Sequence, residues 1–160
     1  MGKIIDVTEA EKVVERIKTQ GGRVVLVGGC FDLLHIGHLE FLEKAKAAGD
    51  ILMVALEHDK NVKRLKGEKR PINHQKNRAK VLSALEMVDY IIPLPPMKTH
   101  DDYFALVKNL RPDIIAVTAG DPHLKQKVEQ AKTVRGKLEV VTKPIINGST
   151  SKLLKILGLD

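Results

Sequence analysis

Residues 24–38 read VVLVGGCFDLLHIGH, and this stretch carries the strongest structural signal in the chain. The apolar run at 24–27 predicts a buried strand, and Gly28 and Gly29 end it. Two histidines then flank a glycine at residues 35–38, where a helical pattern begins. A strand that passes through glycines into a helix is typical of a parallel βα unit, so the stretch predicts an α/β fold.

The remaining apolar runs extend this unit into a sheet. Strands are predicted at 24–27, 51–56, 90–92, 114–117 and 138–141, and helical patterns separate them. The first helix is predicted to begin with a capping box at Thr8 and Glu11 and to stop at Gly21. Further helices are predicted at about 38–48, 74–84, 101–109, 124–132 and 149–157. We therefore expect a single domain, residues 1–160, built as a Rossmann-like, doubly wound parallel sheet of five strands with helices on both faces.

The composition excludes several classes of protein. Hydrophobic residues make up 43% of the 160 residues and charged residues 29%, which excludes a disordered chain and a membrane protein. The single cysteine, Cys30, excludes an intramolecular disulfide scaffold and a zinc finger. The first residues contain no apolar run of signal-peptide length. The sequence therefore predicts a cytoplasmic protein with no membrane partner.

Positive charge is concentrated in one segment. The chain has 27 basic and 20 acidic residues, a formal net charge of +7. Six of the basic residues fall within residues 60–70, where Glu68 is the one acid, so this segment supplies most of the excess. Such a cluster suits a phosphorylated ligand. It contains no aromatic side chain on which a base could stack, which disfavours nucleic acid as the partner.

The residues after the first predicted strand suit a phosphate. Gly28 and Gly29 allow backbone N–H groups to approach a phosphate, and the next helix directs its positive N-terminus to the same point. His35 and His38 are three residues apart, so both can face that point and donate hydrogen bonds to phosphate oxygens. The pattern predicts a nucleotide polyphosphate site. A helix cap and a metal site are the alternatives, although no convincing third ligand accompanies the two histidines.

The sequence GGCFDLLHIGH resembles the signature of the nucleotidyltransferases that share a His-x-Gly-His motif with class I aminoacyl-tRNA synthetases. Further motifs resemble, in order and spacing, the adenylyltransferase domain of heptose-phosphate (ADP-heptose) synthases. They are VKRLKG at 62–67, RPIN at 70–73, Arg78, VLSALE at 81–86, VD at 88–89, RPD at 111–113, GD at 120–121 and GSTS at 148–151. The similarity covers nearly the whole chain.

This resemblance implies a reaction. A nucleoside monophosphate, AMP from ATP or CMP from CTP, would be transferred to a phosphate monoester, and pyrophosphate would be released. Mg²⁺ would be bound through the triphosphate, because phosphate oxygens and waters supply most of its ligands in such sites, and no protein-only metal site is implied. The partners implied are thus a nucleoside triphosphate and a small phosphorylated acceptor, and members of the family are usually homodimers.

The resemblance also implies roles for individual residues. His35 and His38 would stabilise the transition state, and Lys63 and Lys66, in a loop after the second predicted strand, would close over the phosphates. Asp32 would lie beside the α-phosphate and the acceptor. The residues expected to bind the nucleotide are Gly28, Gly29, Cys30, Phe31, Gly37, Arg78, Gly120, Asp121, Ser149 and Thr150.

Departures from the resembled pattern leave the acceptor and the base open. Residues 118–122 read TAGDP, where heptose-phosphate enzymes commonly read KGGDY, and the segment after Pro93 lacks their acidic turn. A sugar phosphate such as heptose 1-phosphate is the first expectation for the acceptor. A glycerol-3-phosphate-type cytidylyltransferase and an FMN adenylyltransferase are the enzyme alternatives. A nucleotide-sensing or nucleic-acid-binding module is the alternative without catalysis.

Overall fold

The computed structural model describes residues 1–143, 150–156 and 158, and its centre is one parallel sheet. Six strands lie in the order β1-β4-β3-β2-β5-β6. They are β1 (Lys3–Ile4), β2 (Val24–Gly29), β3 (Ile51–Leu56), β4 (Tyr90–Pro93), β5 (Ile114–Thr118) and β6 (Lys137–Thr142). The strand order reverses between β2 and β5, and ligands of such sheets bind in the crevice at the carboxyl ends of the strands at this point.

Helices cover both faces of the sheet. They are α1 (Val7–Thr19), α2 (Ile36–Ala47), α3 (Asp59–Lys66), α4 (Gln75–Ser83), α5 (His100–Leu110), α6 (Leu124–Thr133) and α7 (Thr150–Ile156). One apolar cluster packs α1, α5 and α6 against the sheet, and a second packs α2 and α4 against the other face. The doubly wound α/β prediction is confirmed. Within the described ranges, no helix has both the length and the apolar character needed to cross a bilayer.

The predicted strand count was wrong by one. All five predicted strands are present with ends within two residues of those expected, but β1 adds a sixth beside β4. Lys3 and Ile4 of β1 are both exposed, and two residues are too few to show an alternating pattern. The sheet pairs β1 through backbone hydrogen bonds, such as that from the Lys3 amide to the Asp89 carbonyl at 2.9 Å.

Two helix predictions also need correction. The first helix begins at Asp6, whose carboxylate accepts from the Glu9 amide at 2.8 Å, so the capping box is Asp6 with Glu9 and Thr8 lies inside the helix. The basic loop predicted after the second strand is partly helical, because Asp59–Lys66 form α3. Val62 of this helix is buried, whereas the basic side chains of the helix are exposed. This predominance of charged residues is why the sequence predicted a solvated loop.

Asp113 holds the amino end of β2 beside β5. Its carboxylate Oδ2 accepts from the Val24 amide at 2.8 Å, and its own amide donates to the Val24 carbonyl at 2.9 Å. The other carboxylate oxygen, Oδ1, lies 3.2 Å from Lys18 Nζ. This reciprocal pair fixes the amino ends of the two strands between which the strand order reverses.

We expect Asp113→Ala to lower the free energy of unfolding by about 1–3 kcal/mol, because the Val24 amide loses its acceptor in a partly buried place. Urea unfolding followed by circular dichroism measures the change. Glu86→Ala is the control, since Glu86 is exposed, and it should change stability by less than about 0.5 kcal/mol. Equal effects of the two substitutions would show that the Asp113 contact is not what holds the strands.

Candidate active site

A cleft of about 610 Å³ lies over the carboxyl ends of β2, β3 and β5. Clefts of this size are typical of small-molecule sites, and its position is the one expected at a point of strand reversal. Each surrounding element contributes side chains to it. Its walls include Gly28, Glu57, His35, His38, Tyr103 and Gln130.

The glycine turn leaves open space at the bottom of the cleft. A Cβ built on Gly28 would have the Ala55 carbonyl oxygen as its nearest neighbour, at 3.9 Å, so a ligand can approach this backbone. Gly29 is required for a different reason, because a Cβ there would lie 2.7 Å from Cε2 of the Phe31 ring. Phe31 is itself buried and has a positive φ of 43°, so the chain turns sharply here before α2.

The two motif histidines stack at the start of α2. Their ring centroids are 3.9 Å apart, and the Phe31 ring packs 5.3 Å from that of His38. His35 is the N-cap residue of α2, but its side chain makes no capping hydrogen bond. The alternative that this histidine serves as a helix cap is therefore not supported. The Nδ1 atoms of both rings are buried without hydrogen-bond partners in the described part of the chain.

Burial keeps both imidazoles neutral. It lowers the pKa of His35, and it lowers the pKa of His38 to about 4, with His35 and Lys66 adding smaller contributions. Near pH 7 each ring therefore carries one N–H and no net charge. Burial also raises the pKa of Cys30, so the neighbouring thiol stays protonated and is a poor nucleophile.

Asp32 lines the cleft, but its carboxylate is engaged with other groups of the protein. Its side chain is only 1% exposed, and its Oδ2 accepts from Arg70 Nε at 2.6 Å. The Ile72 and Asn73 amides donate to Oδ1 at 2.9 and 3.0 Å. This carboxylate therefore binds the segment 70–73 to the signature turn. Its contact with an acceptor stays a prediction.

Arg78 is buried in the same framework, with a side chain that is 0% exposed. Its guanidinium donates to the carbonyls of Cys30, Asn73 and Glu57, and its Nη2 lies 2.7 Å from Asp59 Oδ1. The nucleotide contact expected of Arg78 stays a prediction. In this structure its donors are used to join the ends of β2 and β3 to the chain around them.

The two expected lysines are placed differently. Lys66, at the end of α3, lines the cleft together with Arg64. Lys63 lies 2.5 Å from Glu68 in an exposed ion pair and is not among the cleft-lining residues. Residues three apart lie on one face of a helix, so the ion pair with Glu68, and not the helical spacing, distinguishes Lys63 from Lys66 here.

The other residues expected at the site divide into three groups. Gly28, Gly29, Cys30, Phe31 and Asp121 line the cleft. Gly37 lies in the first turn of α2, and Gly120 lies in the turn after β5 with a φ of 79°. Thr150 begins α7, and Ser149 lies outside the described residues.

A polar network that the sequence did not reveal occupies another wall of the cleft. Tyr103 Oη donates to the Glu57 carboxylate, 2.9 and 3.0 Å from its two oxygens. Asn61 Nδ2 in turn donates to Tyr103 Oη at 2.9 Å. These residues are up to 46 positions apart and form no local motif. Only the fold brings them together.

Carboxylates around the cleft offer no ready metal site. Asp32 is bound by Arg70, Glu57 by Tyr103, and Asp121 by Lys127 Nζ at 2.7 Å. Among the described residues, no three acidic, histidine or cysteine side chains are grouped as metal ligands. Binding of Mg²⁺ through the phosphate oxygens of a nucleotide stays a prediction, and we treat the ion as part of the nucleotide substrate.

The sequence over this cleft matches a known family. Residues 26–153 match the family described as Cytidylyltransferase-like, and these residues include most of β2, the signature turn and the cleft walls. The chain belongs to this family. The resemblance predicted from the motifs is confirmed, as is the nucleotidyltransferase class of enzyme.

Curated relatives of this cytidylyltransferase-like chain are longer proteins. "Bifunctional protein HldE" of Citrifermentans bemidjiense is 38% identical over 160 residues, which are 98% of this chain and 31% of that protein. The protein of the same name in Helicobacter hepaticus is 45% identical over 136 residues, 83% of this chain and 26% of that protein. The chain thus spans about a third or less of the length of these relatives.

Solved structures agree on the architecture. The lipopolysaccharide core biosynthesis protein of Thermoplasma volcanium is 25% identical, with a TM-score of 0.62 over 78% of this chain and 98% of that one. Pantoate-beta-alanine ligase of Francisella tularensis is 15% identical, with a TM-score of 0.60 over 91% of this chain and 68% of that one. The second likeness concerns the fold alone.

We expect Asp32→Ala to destabilise the protein by about 3–5 kcal/mol, because it leaves the buried Arg70 guanidinium without its counter-charge. Glu68→Ala removes the exposed ion pair with Lys63 and should cost less than about 1 kcal/mol. Denaturant midpoints of the two variants test the difference. Similar midpoints would mean that the Asp32 pair does not hold the segment in place.

The lowered pKa of His38 makes stability depend on pH. From its ordinary value of 6.5 down to about 4, the unfolded chain takes up a proton that the folded chain does not, so stability falls as the pH falls. We expect His38→Gln to reduce this decline between pH 7 and pH 5 by on the order of 1–2 kcal/mol. Unfolding curves at both pH values provide the measurement. Parallel declines in the two proteins would contradict it.

Proposed function

We propose that this chain transfers AMP from ATP, or CMP from CTP, to a phosphate monoester and releases pyrophosphate. The observation that carries the proposal is the open backbone at Gly28 together with the stacked His35 and His38 rings, in the cleft where the strand order reverses. An open glycine backbone and a helix N-terminus together suit a polyphosphate. Membership of the cytidylyltransferase-like family supports the same reaction.

The histidines act as neutral hydrogen-bond donors. Because the Nδ1 atoms are buried, Nε2 is the ring atom through which each neutral imidazole would donate to a ligand. A neutral N–H can donate to a phosphate oxygen as negative charge develops there, without first losing a counter-ion. This role needs no covalent intermediate on the protein.

The chemical step is an in-line displacement at the α-phosphorus. A phosphate oxygen of the acceptor forms the new bond, the bond to the bridging oxygen breaks, and pyrophosphate leaves with that electron pair. The acceptor phosphate is already ionised near neutral pH, so no general base is required. Mg²⁺ on the triphosphate neutralises part of its charge. The protein contributes alignment of the two substrates.

Cations at the rim of the cleft complete the neutralisation. Lys66 and Arg64 approach from α3 and Lys127 from α6. Lys63 joins them only if its exposed ion pair with Glu68 opens, and such pairs contribute little to stability. Three of the six basic residues of 60–70 line the cleft, namely Arg64, Lys66 and Arg70, and this supports a triphosphate as its ligand.

The acceptor proposed is a sugar phosphate, with heptose 1-phosphate as the first compound to test. The similarity to HldE proteins and to the lipopolysaccharide core biosynthesis protein supports this class. The choice between ATP and CTP belongs to the same experiment. The homodimer and cytoplasmic location implied by the sequence stay predictions.

We expect phosphorus NMR to show pyrophosphate and a new diphosphate ester when ATP or CTP and Mg²⁺ are mixed with a sugar phosphate and the protein. His35→Ala and His38→Ala should each lower kcat at least a hundredfold, because donors to the transition-state charge are lost. His74→Ala is the matched control, since that side chain is 86% exposed, and it should retain activity within about twofold.

Absence of pyrophosphate with every nucleotide and phosphate ester would refute the enzyme proposal. Full activity in the His35 variant would refute the role of the motif. Formation of FAD from FMN would change the acceptor assignment while leaving the reaction class intact. Each variant is checked by circular dichroism, so that loss of folding is not read as loss of catalysis.

A further inference from the structure

Among the described residues, Asp32, Glu57 and Asp121 are the carboxylates that line the cleft, and Glu57 is the one without an ion pair. It follows the last residue of β3 and is half-buried. Burial raises its pKa, although hydrogen bonds and nearby cations oppose the rise. A carboxylate does not attract a phosphate, so Glu57 has a role that the polyphosphate does not explain.

Its side chain is held in one orientation by a donor chain. Asn61 donates to Tyr103 and also to the Met97 carbonyl at 2.9 Å, while Tyr103 donates to Glu57. Burial and the charge of Glu57 raise the pKa of Tyr103 to about 12, so the phenol keeps its proton and remains the donor. A carboxylate has about four lone-pair sites, so the phenol leaves Glu57, which lines the cleft, with further capacity to accept hydrogen bonds.

Gln130 provides a second unexplained polar group in the same cleft. It lies on α6, is only 6% exposed and lines the cleft. No hydrogen bond within the described residues engages its side-chain amide, whose atoms remain open to the cleft. A ligand that both donates and accepts hydrogen bonds can therefore pair with it.

The surfaces between these polar groups are apolar. Leu26 and Ile115 from the sheet and Leu106 and Val107 from α5 line the cleft beside them. Carboxylate and amide groups over an apolar floor match a compound that carries hydroxyl groups on a carbon skeleton. The hydroxyls can donate to Glu57 and pair with Gln130, while the C–H groups cover the aliphatic side chains.

We propose that Glu57 and Gln130 are specificity-determining residues that bind the hydroxyl groups of a polyhydroxylated acceptor phosphate. Tyr103 is a positioning residue that holds Glu57. This inference rests on the proposed function, and it adds the two side chains that select the acceptor. In this proposal, Glu57 and Gln130 bind the hydroxyl groups, whereas the glycine turn and the histidines bind the phosphates.

Binding measured without turnover tests the proposal. Isothermal titration with Mg²⁺ and a non-hydrolysable ATP or CTP analogue is carried out for two groups of compounds. The hydroxylated group is glycerol 3-phosphate, ribose 5-phosphate, glucose 1-phosphate, mannose 1-phosphate and heptose 1-phosphate. Butyl phosphate, which has no hydroxyl group on carbon, and phosphoethanolamine, which carries an ammonium, form the second group.

Glu57→Gln should weaken binding of the hydroxylated phosphates that bind best by about tenfold or more, because a charged acceptor is lost. Gln130→Leu should have a similar effect, and Tyr103→Phe a smaller one. Butyl phosphate and the nucleotide analogue should change by less than about twofold. Glu129→Gln is the matched control, since Glu129 lies exposed on α6, and it should change nothing.

Three results would overturn the inference. They are the absence of binding by every hydroxylated phosphate, equal weakening of butyl phosphate or of the nucleotide in the Glu57 variant, and a preference of the wild type for phosphoethanolamine. The first and third results would show that the acceptor is not a polyhydroxylated phosphate. The second would show that Glu57 does not select the acceptor by its hydroxyl groups. Binding that follows the expected pattern without any pyrophosphate release would support this inference and refute the proposed reaction, so the two failures are distinguishable.

Discussion

The buried guanidinium of Arg78 is the interaction on which the cleft depends. It joins the carbonyls of Cys30 and Glu57, which directly follow β2 and β3, to Asn73 and Asp59 on the neighbouring segments. Strands that end at a ligand site leave carbonyls with no partner in the sheet, and such groups must be paired when water is excluded. One side chain with five N–H donors does this for several segments at once.

The residues of the resembled motifs have two different structural roles. Asp32 and Arg78 belong to the resembled motifs, yet their polar atoms are engaged by backbone groups and by the side chains of other residues. His35, His38 and Gly28 belong to the same motifs and face the cleft. These motifs therefore contain two kinds of residue, those available to contact a ligand and those that hold the contacting residues in place. Sequence alone does not separate them, because both kinds are polar and adjacent.

The sequence predicted what depends on local pattern. Apolar runs located five strands, and the glycines with two histidines located the crevice, because each signal lies within about fifteen residues. It did not reveal α3, whose eight residues carry five charges and little apolar surface to mark a period. Nor did it reveal the pairing of Glu57 with Tyr103, or the burial of Gln130, since these depend on how α5 and α6 pack over the sheet.

Charge along the cleft gives the two substrates an order. Neutral imidazole donors and the cations of α3 can bind phosphates, whereas the Glu57 carboxylate repels them and can accept only from donors such as hydroxyl groups. In the proposed complex, an acceptor that carries both a phosphate and hydroxyl groups would be turned with its phosphate away from Glu57 and toward the histidines. That orientation would bring the attacking oxygen to the α-phosphate before any bond forms, which is the contribution that alignment makes to such a transfer. The proposed role of the carboxylate is thus to decide which end of the acceptor cannot lie beside it.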